Sequence, residues 1–220
     1  MDQSMTTIPA VPPQAGLRAA GIVQGTGPEV LHRIGTRGIG AAIWQRDWPQ
    51  VLGAGLAALP AANLPELRET VRLEGVGPCL REACAAAGLV EEPLRAALIA
   101  DVTALAQMFA AIAGAQRLHL RLQAIRTNAC SRFHVDNLRL RMLCTYRGAG
   151  TEFALGAPRS DPQAPVADAP AGAVVLMRGT RWPGDEEPGV LHRSPPIAGS
   201  GQTRLLLVID PGDDPEPHWH

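Results

Sequence analysis

The chain has no lysine; its twenty Lys+Arg residues are all arginine. That absence removes Schiff-base chemistry and the lysine of a phosphate-binding P-loop. An excess of charge of either sign is missing too. A formal net charge of -1 leaves no electrostatic footprint for nucleic acid or an anionic membrane surface, and neither partner is expected. No apolar run approaches the ~18–20 residues of a membrane span, and Met1-Asp2-Gln3-Ser4-Met5 carries neither a basic n-region nor an apolar h-region. A cytoplasmic protein is therefore expected, with its four cysteines reduced. No Gly-x-Ser-x-Gly elbow occurs, which sets a serine hydrolase aside. Cys79 and Cys84 do not have the spacing of a zinc knuckle.

Glycine (23) and proline (20) are plentiful in the 220 residues and cluster at the N-terminus and after residue 147. Such punctuation suits short strands and loops. Residues 1–15 are polar and aperiodic and read as a flexible arm. A short strand is expected over 37–43. Asp47, with Pro49 and Gln50 after it, has the spacing of a capped helix start, giving a helix to about Leu59. Asn63, Pro65 and Glu66 repeat that signal for a helix to about residue 73, and 78–87 reads as another. The clearest helix is 93–113: Leu94, Leu98, Val102, Leu105, Phe109 and Ile112 recur at steps of three and four, and Gly114 stops it.

From Gln116 the period changes. Leu118, Leu120 and Leu122 alternate with His119, Arg121 and Gln123, the mark of a strand to about 126. A long central strand is expected over 134–146, then short ones over 151–155, 173–177 and 190–193. A strongly apolar last strand follows over 203–210, and 211–220 reads as a flexible tail. The expectation is an α+β protein, with a mainly helical region over 16–115 and a β-rich core over 116–210. A jelly roll is the usual double-sheet solution for such strands.

The stretch of greatest chemical interest is Cys130-Ser131-Arg132-Phe133-His134-Val135-Asp136-Asn137. Alternate strand residues share a face, so His134 and Asp136 would project together. Two donors on one face make half a metal site, and His192 in Gly189-Val190-Leu191-His192-Arg193-Ser194 is the best distant third. Two histidines and one carboxylate with open positions suit non-heme Fe(II). The bland alternative is that Asp136 caps a turn and His134 is a satisfied core histidine.

The order His134-x-Asp136, the Gly172-initiated strand, His192, and Arg204 inside an apolar strand resembles the core of Fe(II)/2-oxoglutarate oxygenases. The resemblance implies a double-stranded β-helix, and the N-terminal helices are expected to pack on it. It implies His134, Asp136 and His192 as metal ligands, and Fe(II) and 2-oxoglutarate as cofactors. Arg204, twelve residues past His192, would hold the cosubstrate's far carboxylate, with Arg126, Arg139 and Arg141 as alternatives for that role. Over most of its length the chain also resembles the bacterial domain of unknown function 1826. The matching pieces are Ala42-Ile43-Trp44-Gln45-Arg46, Cys130 through Tyr146, Trp182-Pro183-Gly184, His192-Arg193-Ser194-Pro195-Pro196 and Arg204-Leu205-Leu206-Leu207. That likeness implies a link to zinc-responsive gene neighbourhoods and names no reaction.

Other roles follow from position. Tyr146, Trp182 and Arg193 would line the substrate side, the substrate being an unidentified small molecule or protein. Cys130 could join His134, Asp136 and His192 in a closed four-donor set, which suits zinc and a non-catalytic role in metal homeostasis. Cys144, ten residues past His134, would lie ~33 Å away on a straight strand, too far to share an ion. A degenerate jelly roll acting as a binding module is the third reading.

Overall fold

A computed structural model describes Leu17 and residues 20–155, 165–185 and 189–214. The expected arm over 1–15 lies outside these residues, as do 215–220 of the expected tail. In chain order the elements are β1 (Ile22–Gly25), a 3-10 helix (Pro28–Gly35), β2 (Ala41–Trp44), α1 (Gln50–Ala58), a second 3-10 turn (Ala61–Asn63), β3 (Leu67–Val71), α2 (Leu73–Ala86) and α3 (Glu92–Ala113). Then come β4 (Leu118–Ile125), β5 (Leu140–Arg147), β6 (Glu152–Ala154), β7 (Val166–Asp168), β8 (Val174–Arg178), β9 (His192–Arg193) and β10 (Arg204–Pro211).

The protein is mixed α+β with one large sheet. Seven strands run in the order β1-β2-β8-β5-β10-β4-β3, and three more in the order β7-β6-β9. His134 adds a single antiparallel bridge to His192, so its segment extends the small sheet. All pairings are antiparallel except β1 with β2.

Alternation along the strands separates two cores. On one face of the large sheet, Leu118, Leu120, Leu122, Leu140, Met142, Cys144, Tyr146, Leu205, Leu207 and Ile209 meet the apolar side of the helices, including Leu94, Leu98, Val102, Leu105 and Phe109 of α3. On the other, Leu143, Val175, Met177, Leu206 and Val208 meet Phe153 and Ala167 of the small sheet. Contrary to the expectation from the sequence, α3 is by length and composition apolar enough to cross a membrane. Its buried stripe covers the sheet, however, and Asp101 within it is ion-paired to Arg46.

Several expectations need correction. The region 16–115 holds strands as well as helices, and its β1, β2 and β3 all join the large sheet. The helix expected from Asn63 to about 73 is instead β3: pairing with β4 overrides its local start signal. Helix α1 starts at Gln50 with no side-chain cap, so Asp47 does not cap it. The central strand does not begin at His134. It begins at Leu140, after a turn through 137–139, so parity cannot be carried from His134 to Tyr146. Residues 211–214, expected in the tail, are held: β10 runs to Pro211, and the Asp214 carboxylate accepts from Arg139 N at 2.8 Å.

Candidate metal centre

His134, Asp136 and His192 come together from two segments joined by the bridge between the histidines and by a 2.9 Å bond from Ser194 N to Cys130 O. Each histidine donates its backbone N–H to the other's carbonyl at 3.0 Å, which sets the rings 4.6 Å apart, centre to centre. Asp136 follows on the turn out of this bridge. Its carbonyl accepts from Thr180 N at 2.8 Å, while Leu138 O accepts from Arg181 N at 3.1 Å. Gly179 permits that close approach. A Cβ there would lie 2.1 Å from Leu138 O and 2.5 Å from Asp136 O, so only glycine fits.

One donor atom from each of the three residues lies within 4.8 Å of the others. His134 Nε2 is 3.5 Å from Asp136 Oδ1, and His192 Nε2 is 3.2 Å from Oδ2. Both Nδ1 atoms face backbone carbonyls, Arg132 O at 2.8 Å and Val190 O at 3.3 Å. An Nδ1–H engaged in this way turns Nε2 toward the carboxylate, the arrangement that orients metal-binding histidines. Asp136 Oδ2 is buried and has no hydrogen-bond partner among the described residues. An orphaned anionic oxygen is costly unless a cation occupies the space beside it. The residues present therefore fit a divalent metal ion.

Electrostatics agree with this geometry. Burial alone would raise the Asp136 carboxyl, but His134, His192 and Arg141 around it outweigh burial and hold it well below the usual carboxylate range. Its bond to Asp136 raises the His134 imidazole above its ordinary 6.5, against the opposing effect of burial. Arg141 Nη1 donates to Asp136 Oδ1 at 2.6 Å, while Nε and Nη2 clasp the two oxygens of Asp210 at 2.7 Å each. Arg121 Nη2 completes the buried chain with a 2.8 Å bond to Asp210 Oδ2.

A cavity of about 390 Å³ opens beside the cluster, lined by His134, His192, Cys130, Arg141, Arg193 and Ser194 among others. Behind Ser194 lies Arg204, which is fully buried. Its guanidinium donates to Ala149 O at 2.6 Å, Ser194 Oγ at 2.8 Å and Thr145 Oγ1 at 3.4 Å, all neutral groups. Burial brings it down to about 10.

The other expected residues divide. Arg193 lines the cavity, bonds Glu152 at 2.6 Å and stacks its guanidinium 4.4 Å above the Phe133 ring. Cys130 lines it too, with a φ of 56°, the one positive-φ residue other than glycine among the described residues. Its thiol does not belong to the three-donor cluster, so the closed four-donor set is not assembled. Burial, helped by the Asp136 charge, raises that thiol. Tyr146 is on the opposite face of the sheet, buried against α3, with its hydroxyl donating to Asp101; its expected place at the substrate side is wrong. Trp182 likewise packs with the helix-side core, under the Arg178 guanidinium, because alternation along β5 puts that core on the far side from the cavity.

Sequence reasoning considered Arg141 only as an alternative carboxylate anchor, and it missed Asp210 and Arg121 altogether. The available signal was a charged residue inside an otherwise apolar strand, which is seldom fully buried without a partner.

Fold and centre together define an α+β protein with a three-donor site beside a cavity between two sheets. The chain belongs to the family described as "Protein of unknown function (DUF1826)", whose model matches residues 25–210. No curated protein matches it. Among solved structures it is similar to dioxygenase for auxin oxidation 1 from Arabidopsis thaliana in complex with 2-oxoglutarate, at 9% identity and TM-score 0.48, covering 86% of this chain and 91% of that one. It is similar to the rice dioxygenase for auxin oxidation, at 14% identity and TM-score 0.46, covering 86% and 82%. A Pseudomonas putida prolyl-4-hydroxylase is similar at 16% identity and TM-score 0.46, covering 83% and 96%.

Proposed function

We propose that this protein is a metal-dependent oxygenase of the Fe(II)/2-oxoglutarate type, acting in the cytoplasm on a substrate still to be found. The observation that carries the reading is the orphaned Oδ2 of Asp136, a carboxylate flanked by two imidazoles whose Nδ1 atoms are already engaged. Two histidines and one carboxylate leave positions open for other ligands, the pattern suited to non-heme iron.

Strand order supports a double-stranded β-helix. Take β4, the His134 segment, β5, β6, β7, β8, β9 and β10 as eight consecutive strands. The first then pairs with the eighth, the second with the seventh, the third with the sixth and the fourth with the fifth. One long hairpin rolled on itself gives this order, the jelly-roll solution to exposed edges.

His134, Asp136 and His192 would hold the iron. Arg204, with the Ser194 and Thr145 hydroxyls, would take the far carboxylate of 2-oxoglutarate, since a planar guanidinium with only neutral partners suits a bidentate anion. Bound iron and 2-oxoglutarate would supply the oxidising power. The chain's own part is orientation and exclusion of water. Leu143, Leu206 and Val208 form an apolar wall of the cavity. Arg193 and Phe133 stack beside it, where a substrate would enter.

The test is an anaerobic absorption titration with Fe(II), then 2-oxoglutarate. A weak visible band requiring both, and missing from His134→Ala, is expected. Tight Zn(II) binding with no response to 2-oxoglutarate would contradict the oxygenase reading.

A further inference from the structure

We infer that Arg141 is a positioning residue for Asp136, fixing which carboxylate oxygen faces the metal. The inference rests on the metal reading above and concerns a residue outside the His/Asp/His set. Asp136 sits on a turn, and strand pairing does not fix its side chain. Arg141 does: its Nη1 takes Oδ1 at 2.6 Å and leaves Oδ2 as the buried oxygen without a hydrogen bond. One oxygen is thereby assigned to the guanidinium and the other to the ion, so the carboxylate binds through a single oxygen.

Arg141 is itself immobilised. Two parallel bonds to Asp210 use Nε and Nη2, and Arg121 holds Asp210 from the far side. The guanidinium fork thus bridges two carboxylates, each with its own edge, which a lysine ammonium could not do with the same geometry. The arrangement also places a fixed positive charge beside the ligand carboxylate. Outer partners of this kind typically change metal affinity by about 10–100-fold when removed.

The experiment is a Mn(II) titration of the full chain, read by the electron paramagnetic resonance of free and bound ion. Wild type, Arg141→Lys and Arg121→Met are compared. Arg141→Lys keeps the charge but loses the fork, and its Mn(II) dissociation constant is expected to rise about 10–100-fold, with an altered bound-ion spectrum. Arg121→Met removes the other partner of Asp210 and leaves the Arg141–Asp136 contact in place, so its affinity loss should be smaller than that of Arg141→Lys and its bound-ion spectrum that of wild type. Should Arg141→Lys fail to fold, Asp210→Asn loosens the same guanidinium from behind, and a smaller loss in the same direction is expected. An Arg141→Lys protein with wild-type affinity and spectrum, or an unchanged Asp210→Asn protein in its stead, would overturn the role of Arg141 and leave the metal reading standing. Equal losses in Arg121→Met and Arg141→Lys would reduce the network to general stability and overturn it as well. Wild type that binds no Mn(II) would overturn the metal reading, and this role with it.

Discussion

Replacing Arg204 by methionine should separate stability from cosubstrate binding. The guanidinium is fully buried among neutral partners, and burial brings it well below its ordinary value, to about 10. A shift of that size corresponds to about 3 kcal/mol of lost stability. The folded-state value lies below the unfolded one, so the penalty is present at any pH below about 10 and fades as pH climbs toward the unfolded value. Against the relief stand three hydrogen bonds, worth about 1 kcal/mol each. The two effects nearly cancel. Arg204→Met without ligands should melt within about 4 °C of wild type, given the roughly 2–4 °C per kcal/mol expected at this size. Cosubstrate affinity should behave otherwise. Truncating one member of a buried charge pair costs about 2–5 kcal/mol, at least about 30-fold in 2-oxoglutarate affinity. Calorimetry for the melt and a titration of the metal-loaded protein for the affinity would measure both. A melt lowered by about 10 °C or more with 2-oxoglutarate affinity intact would refute the argument and make Arg204 a structural residue.

Other outcomes follow from the same contacts. Gly179→Ala sets a methyl group against Asp136 O and Leu138 O, so it should destabilise by about 1–3 kcal/mol in a thermal melt and weaken metal binding in dialysis. Tyr146→Phe removes a buried bond to Asp101, which keeps its Arg46 partner; a loss of about 1–2 kcal/mol in a denaturant titration is expected, with metal affinity within about threefold of wild type. Metal must displace the proton that Asp136 holds on His134, so affinity should rise by up to about tenfold per pH unit through and just above 6.5. The metal-free protein should show the opposite slope. The His134 value is raised on folding, so its contribution is full below the unfolded value and lost as pH rises through the folded one, visible as a falling melting temperature.

How far the sequence discloses this molecule depends on how local each signal is. The stripe on α3 and its stop at Gly114, which has a φ of 62°, are local and appear within a residue of their expected bounds. So does the alternation in β4, whose leucines enter one core while Arg121 faces the other way. The His134-x-Asp136 spacing and the distant His192 also mark residues that the fold brings together. The reason first given for their shared face does not hold, because a turn separates Asp136 from β5. Strand β3 is invisible locally, since Leu67–Val71 owes its conformation to β4. The Arg141–Asp210–Arg121 chain joins three strands distant in sequence. No spacing rule links them, and only an unusual charge inside each apolar strand hints at the pairing.

The central claim is that His134, Asp136 and His192 hold one metal ion, and anaerobic equilibrium dialysis against Fe(II) tests it most directly. Wild type should bind one ion per chain, with His192→Ala and Asp136→Ala each weakened by at least about 100-fold while remaining folded by circular dichroism. A wild type that binds no iron, or variants that bind as well as wild type, would contradict it.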